Sequence, residues 1–173
     1  GAADLLNEAD EEDLASIFYR YGEERRSRRL ARVIAEMRAD APFERSEQLV
    51  EAIGRAMPRS VAQDRARIFQ ALRIAVNGEV QALERALPRL RDALSPGGVM
   101  VVLSYHSLED RLVKDAFREW SRDCVCPPGL PVCRCRGVAL GTTLTRKPVM
   151  AGASEIEMNT RARSARLRAW RKA

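Results

Sequence analysis

The sequence predicts an α/β fold, mostly helical by residue count, and three observations carry that reading. Apolar residues recur at helical spacing from the first residues to Leu87. The run Val99-Met-Val-Val-Leu103 is apolar at every position and too short for a helix, as a strand buried on both faces should be. β-branched and alternating segments then return near the C-terminus.

The front third reads as helical throughout. Glu8-Ala-Asp-Glu-Glu-Asp13 sets acids at a helix start, where the macrodipole favours them, ahead of Leu14, Ile17 and Phe18. A second helix, Glu23 to Ala39, carries Leu30, Val33, Ile34 and Met37 as one apolar stripe. Its other face carries Arg25, Arg28, Arg29 and Arg32, which is either a solvated surface or a contact for a phosphate backbone. A third helix, Ser46 to Met57, buries Leu49, Val50 and Ile53, with Pro42 and Pro58 marking breaks. A middle helix, Asp64 to Asn77, turns Ile68, Leu72, Ala75 and Val76 inward. Arg73 and Asn77 lie one turn apart on it, so both either reach a crevice or cap and solvate the helix surface. Gly78 would cost about 1 kcal/mol in a helix interior, so the helix is expected to end there and resume through Val80, Leu83 and Leu87.

Ser95-Pro-Gly-Gly98 cannot continue a helix and makes a tight turn into the strand Val99–Leu103. Ser107 followed by Asp110 has the form of a capping box, placing the next helix start at Leu108. The only histidine, His106, therefore falls between the C-terminal end of a parallel strand and a helix N-terminus, where open α/β sheets bind ligands. Leu112, Val113, Ala116, Phe117 and Trp120 form the stripe that packs this helix on the sheet.

All the cysteines follow, as Cys124-Val-Cys126 and Cys133-Arg-Cys135 around a Pro/Gly turn. Two such pairs suit a structural tetrahedral zinc site. Reduced thiols in a loop are the alternative, and a disulfide framework is not expected in a cytosolic protein. Gly141–Pro148 reads as a strand stopped by proline, and Ser154–Glu157 as a capping box opening a short helical turn. Ser164–Trp170 alternates as an outer strand should, in a tail made basic by Arg161, Arg163, Arg166 and Arg168.

Lys and Arg total 30 against 24 Asp and Glu, a net charge of +6 dominated by arginine, which suits bidentate phosphate contacts. No apolar run approaches the roughly 20 residues of a membrane span, so no membrane partner is expected. No secretory signal pattern opens the chain, and a cytoplasmic location is expected.

Ser104-Tyr-His-Ser-Leu-Glu-Asp-Arg-Leu-Val-Lys114 resembles the signature of the RsmH (MraW) family, which has Phe where Tyr105 stands here. Ala3-Asp-Leu-Leu-Asn7 with Tyr21-Gly-Glu-Glu-Arg25 and Arg29-Leu-Ala-Arg32, then Ile68-Phe-Gln-Ala-Leu-Arg-Ile-Ala-Val-Asn77, then Asn159-Thr-Arg-Ala-Arg-Ser-Ala-Arg-Leu-Arg168, resemble further segments of that family in the same order. Thr160 departs from the family, which has proline there. The resemblance implies an S-adenosylmethionine-dependent methyltransferase that modifies the N4 of a cytosine in bacterial 16S rRNA, so the partner expected is the small ribosomal subunit.

It also implies a class I (Rossmann-like) methyltransferase fold with a helical insertion domain, over residues 1–60. Residues 61–173 would be the C-terminal half of the catalytic domain, with the Cys-rich loop at 124–135. The family's Gly-rich donor-binding half has no counterpart here, so the S-adenosylmethionine site is expected in a missing N-terminal half and this chain alone is expected to be inactive. A half-sheet would leave an open edge and an uncovered apolar face, which leaves a homodimer open. On this reading His106, Glu109 and Asp110 are the catalytic candidates. Arg25, Arg29, Arg73, Asn77, Ser107, Arg111, Asn159, Arg161 and Arg163 are the substrate or RNA contacts. Cys124, Cys126, Cys133 and Cys135 would be zinc ligands. A non-catalytic RNA-binding module and a zinc-stabilised interaction domain descended from such an enzyme are the alternatives.

Overall fold

The computed structural model describes residues 1–127, 132 and 134–173. These form two compact units, Gly1–Glu79 and Val80–Ala173.

The first unit is all helical: α1 (Ala2–Glu8), α2 (Glu11–Gly22), α3 (Ser27–Asp40), α4 (Ser46–Ala56) and α5 (Ala62–Asn77). Its core takes Leu14 and Phe18 from α2, Leu30 and Ile34 from α3, Leu49 and Ile53 from α4, and Ile68, Ala71 and Leu72 from α5. At Gly22 a Cβ would come within 3.3 Å of the Ala71 Cβ, so the missing side chain is what lets α2 and α5 approach closely. Arg38 donates to the carbonyls of Leu6 (3.0 Å) and Ala9 (2.6 Å), satisfying groups that the end of α1 leaves open. α5 ends at Gly78, whose φ of 60° closes the helix in the left-handed region, as the sequence indicates. The inward stripe is shifted: Ala71 and Ile74 are buried, whereas Val76 is 43% exposed. The unit takes in α5, which the sequence groups with the second region, because Ile68, Ala71 and Leu72 join the core of α2, α3 and α4.

The second unit opens with α6 (Glu79–Ala93), then β1 (Val99–Ser104), α7 (Ser107–Trp120), β2 (Gly141–Thr143), β3 (Val149–Met150), α8 (Ala153–Met158), a 3-10 turn over Thr160–Ser164, and β4 (Arg166–Lys172). The sheet order is β1-β4-β2, with β3 also pairing β4, and every pair is antiparallel. The sheet departs from the sequence expectation in two ways. β4 is the central strand, not an outer one: Arg168, Ala169 and Trp170 are all buried, and a buried arginine looks like a solvent-facing one in sequence. β1 pairs antiparallel with β4 and is covered on one face only, since Val99, Val101 and Leu103 are 43%, 56% and 51% exposed. The covered face meets a core of Leu87, Met100, Val113, Phe117, Trp120 and Trp170. Its aromatic rings pack edge-on, Trp120 to Trp170 at 5.3 Å, and tilted, Phe117 to Trp120 at 5.7 Å, with the Arg91 guanidinium 5.0 Å from the Trp120 ring centre. α8 begins after Gly152 with no side-chain cap, so the Ser154–Glu157 capping box is not formed.

No described helix is long and apolar enough to cross a membrane.

Candidate functional site

At the end of β1 the chain leaves the sheet through Tyr105 and turns into α7 at His106. His106 is the N-cap, one residue before the position the sequence indicates. Its Nδ1 accepts the Glu109 N–H at 3.3 Å, and Glu109 Oε2 accepts the N–H groups of Tyr105 (2.9 Å) and His106 (3.3 Å). The reciprocal box is therefore His106 with Glu109, not Ser107 with Asp110. An imidazole nitrogen does the work of a serine hydroxyl, and the helix starts a residue early to let it.

The imidazole is 10% exposed. With Nδ1 accepting, a neutral ring carries its proton on Nε2. Nε2 lies 3.2 Å from Glu109 Oε1, close enough for an ion pair when the ring is protonated, yet it makes no hydrogen bond among the described residues. The neighbouring imidazole, foremost, and then the Tyr105 and His106 N–H groups hold the Glu109 carboxyl below the usual carboxylate range, against the opposing cost of burial. Glu109 is thus an ionised acceptor with Oε2 taken by the cap and Oε1 facing His106 Nε2. Below it the Ser104 hydroxyl is buried without a hydrogen-bond partner among the described residues.

Asp110 faces the sheet. Its carboxylate takes a two-pronged contact from Arg168, Nε at 2.6 Å and Nη2 at 3.1 Å, with Arg166 Nη1 at 3.4 Å. Arg168, foremost, holds the Asp110 carboxyl below its ordinary value, against the cost of burial. The pair ties the first turn of α7 to the central strand. Ser107 and Arg111 lie on the exposed side of the same helix, and Tyr105 is 56% exposed at the strand end.

In the first unit Arg73 and Asn77 do converge, on Glu79. Arg73 Nε and Nη2 reach its two carboxylate oxygens at 2.9 and 3.1 Å, and Asn77 Nδ2 reaches Oε1 at 3.0 Å. Both also line a mostly apolar cavity of about 380 Å³ with Leu6, Phe43, Leu49 and Phe69. Arg25 and Arg29 are exposed at the start of α3. Arg25 lines a crevice with Tyr19, Arg28 and Arg32, in which Arg32 lies 3.8 Å from Glu11. In the second unit Asn159 Oδ1 accepts the Arg161 N–H at 3.1 Å, capping the 3-10 turn on which Arg161 and Arg163 are exposed. The thiols of Cys124, Cys126 and Cys135 lie within 4.8 Å of one another. Cys133 lies outside the described residues.

Three groups are not legible from the sequence pattern. Arg168 reads only as tail charge, and nothing local marks its partner 58 residues away. Glu79 is marked only by its place just after the Gly78 cap. Tyr105 stands out only as a departure from the family's phenylalanine.

The chain matches the MraW methylase family along residues 1–173. A protein of Gemmatimonas aurantiaca named ribosomal RNA small subunit methyltransferase H is 60% identical over 173 residues, covering 99% of this chain and 55% of its own length. Proteins of the same name from Geobacter sulfurreducens and Symbiobacterium thermophilum are 51% and 48% identical over 172 residues, 97% of this chain in each case. The chain therefore spans about 55% of the length of these relatives. With a match that runs through every element described above, from α1 to β4, the chain belongs to the MraW methylase family.

Proposed function

We propose that this chain is the C-terminal part of a cytoplasmic enzyme that moves a methyl group from S-adenosylmethionine to the N4 of a cytosine in 16S rRNA of the small ribosomal subunit. The observation that carries this reading is the 60% identity, along 99% of the chain, to a relative named for methylating that subunit's RNA. Residues 1–60 would serve as its insertion domain and the rest as its catalytic back half.

The donor, when bound, supplies an electrophilic methyl group. Gly97 and Gly98 do not form a donor cradle: they sit in a turn before β1, where Gly98 N–H donates to Ser95 and Gly97 N–H to Lys172. On this reading the donor is held by residues outside this chain, and what the chain contributes is the substrate side. A cytosine must be unstacked to expose N4. Tyr105 offers it an aromatic face at the strand end, beside Ser107 and Arg111. The cap turns His106 toward Glu109, which supports a positioning role for both: they fix the turn that presents Tyr105. Asp110, locked to Arg168, fixes the same helix end from below.

Tyr105→Ala is expected to cost about 1–3 kcal/mol in kcat/KM for small-subunit RNA, the range for loss of one base-stacking ring, while Tyr105→Phe retains the activity. His106→Asn keeps a cap acceptor and is expected to retain turnover that His106→Ala loses. A folded but inactive His106→Asn enzyme would show instead that the imidazole acts on the base. The exposed Arg25, Arg29, Arg161 and Arg163 are assigned to phosphate contacts. Their charge reversal should weaken RNA binding and reduce its salt slope by about one unit per lost contact. An unchanged salt slope would count against the assignment.

A further inference from the structure

We propose that Cys124, Cys126 and Cys135 bind a zinc ion as thiolates, and that the ion clamps together the two limbs of the loop joining α7 to β2. The site shares no residue with the methyl-transfer reading and stands or falls without it.

The three sulfurs converge, all within 4.8 Å, with Cys124 and Cys135 at 3.9 Å. A tetrahedral zinc with Zn–S near 2.3 Å sets its sulfurs about 3.8 Å apart, so the observed pair needs almost no adjustment. Backbone N–H groups point at two of the sulfurs, Val125 to Cys135 at 3.3 Å and Arg134 to Cys126 at 3.4 Å. N–H donors to sulfur stabilise the thiolate form that a metal requires and orient it, as the outer shell of a metal site does.

Among the described residues, little apolar packing accompanies this convergence. Val132 and Val138 are 66% and 61% exposed, and Val125 is half-buried. Among the described residues, the base of the loop is closed by Leu140, which packs against the core of the second unit, and by polar contacts. Arg136 donates to the carbonyls of Arg122 (3.0 Å) and Val138 (2.9 Å). The Ala139 N–H reaches Asp123 Oδ1 at 3.2 Å, and the Leu140 N–H reaches the Trp120 carbonyl at 2.8 Å. These bring the limbs side by side and carry the cysteines toward one point. Long loops without secondary structure lose much of their chain entropy when closed, and a metal clip offsets that cost. Soft thiolate sets select zinc over the hard cations. Three thiolates leave one position of the tetrahedron for a further donor. Binding releases the thiol protons, so the affinity falls as the pH is lowered.

The test is the metal content of the chain, purified without a histidine tag under reducing conditions and then titrated with zinc ion alone against a chromophoric chelator. About one zinc per chain is expected, with cobalt substitution giving thiolate-to-metal charge-transfer bands. Cys126→Ser and Cys135→Ser should each lose the stoichiometric metal while far-UV circular dichroism keeps the helical signal. Failure of the wild-type chain to retain or take up zinc would overturn the proposal. So would metal that survives both substitutions, or pairwise disulfides formed by these cysteines in place of metal binding.

Discussion

Arg168→Met is expected to destabilise the second unit by about 3–5 kcal/mol, the cost of leaving one member of a buried ion pair unpartnered. Asp110 and Arg168 are both buried, at 7% and 5% exposure, and joined by two hydrogen bonds. Arg166, 3.4 Å from the same carboxylate and more exposed, can compensate only in part. Asp110→Leu combined with Arg168→Met removes both charges and should recover much of the loss. Denaturant unfolding followed by tryptophan fluorescence reads this out selectively, since both tryptophans, Trp120 and Trp170, lie in the second unit. The pair also sets an acid limb of stability. The folded-state pKa of Asp110 is depressed by Arg168, so its contribution is complete above the unfolded value near 3.9 and is lost as pH falls through the lower folded value. Arg168→Met should flatten that limb. An equally steep acid limb in the variant would remove Asp110 as its source.

Trp170→Ala should cost a similar amount, about 3–5 kcal/mol. Its side chain is fully buried between Phe117 and Trp120, and its Nε1–H donates to Ser121 Oγ at 3.1 Å. The site has little freedom to collapse around a smaller residue, because the ring also fills the space over Gly141. A Cβ at Gly141 would stand 2.3 Å from that ring and 2.1 Å from the Arg171 carbonyl oxygen. Trp170→Phe, which keeps a ring and gives up the hydrogen bond, should fall between wild type and Trp170→Ala. A loss under 1 kcal/mol in the alanine variant would contradict the packing described for the second unit.

Local pattern made the first unit legible. Leu30 and Ile34 are buried as the stripe in α3 requires, and Gly78 stops α5 where its conformational freedom is needed. The second unit was less legible because its determinants are distant in sequence. No local signal says that Arg168 meets Asp110, so β4 read as an outer strand when it is the centre of the sheet. The all-apolar β1 announced two buried faces, and the described chain covers one. At the site, the apolar run Val99–Leu103 and the polar residues after it mark the strand-to-helix turn that the structure has. The Ser107/Asp110 pattern does not reveal that His106 itself caps α7, since histidine is not among the preferred capping residues. The cysteine spacing did anticipate the convergence of Cys124, Cys126 and Cys135.

The proposed activity is defined by its product. Small ribosomal subunits lacking the modification would be incubated with S-adenosylmethionine and the protein at the full length of its relatives. The 16S rRNA would then be digested and its nucleosides analysed by mass spectrometry. N4-methylcytidine, formed only when the enzyme is present, is the predicted result. RNA that is bound but carries no new methyl group, or a methyl group found on another nucleoside, would contradict it.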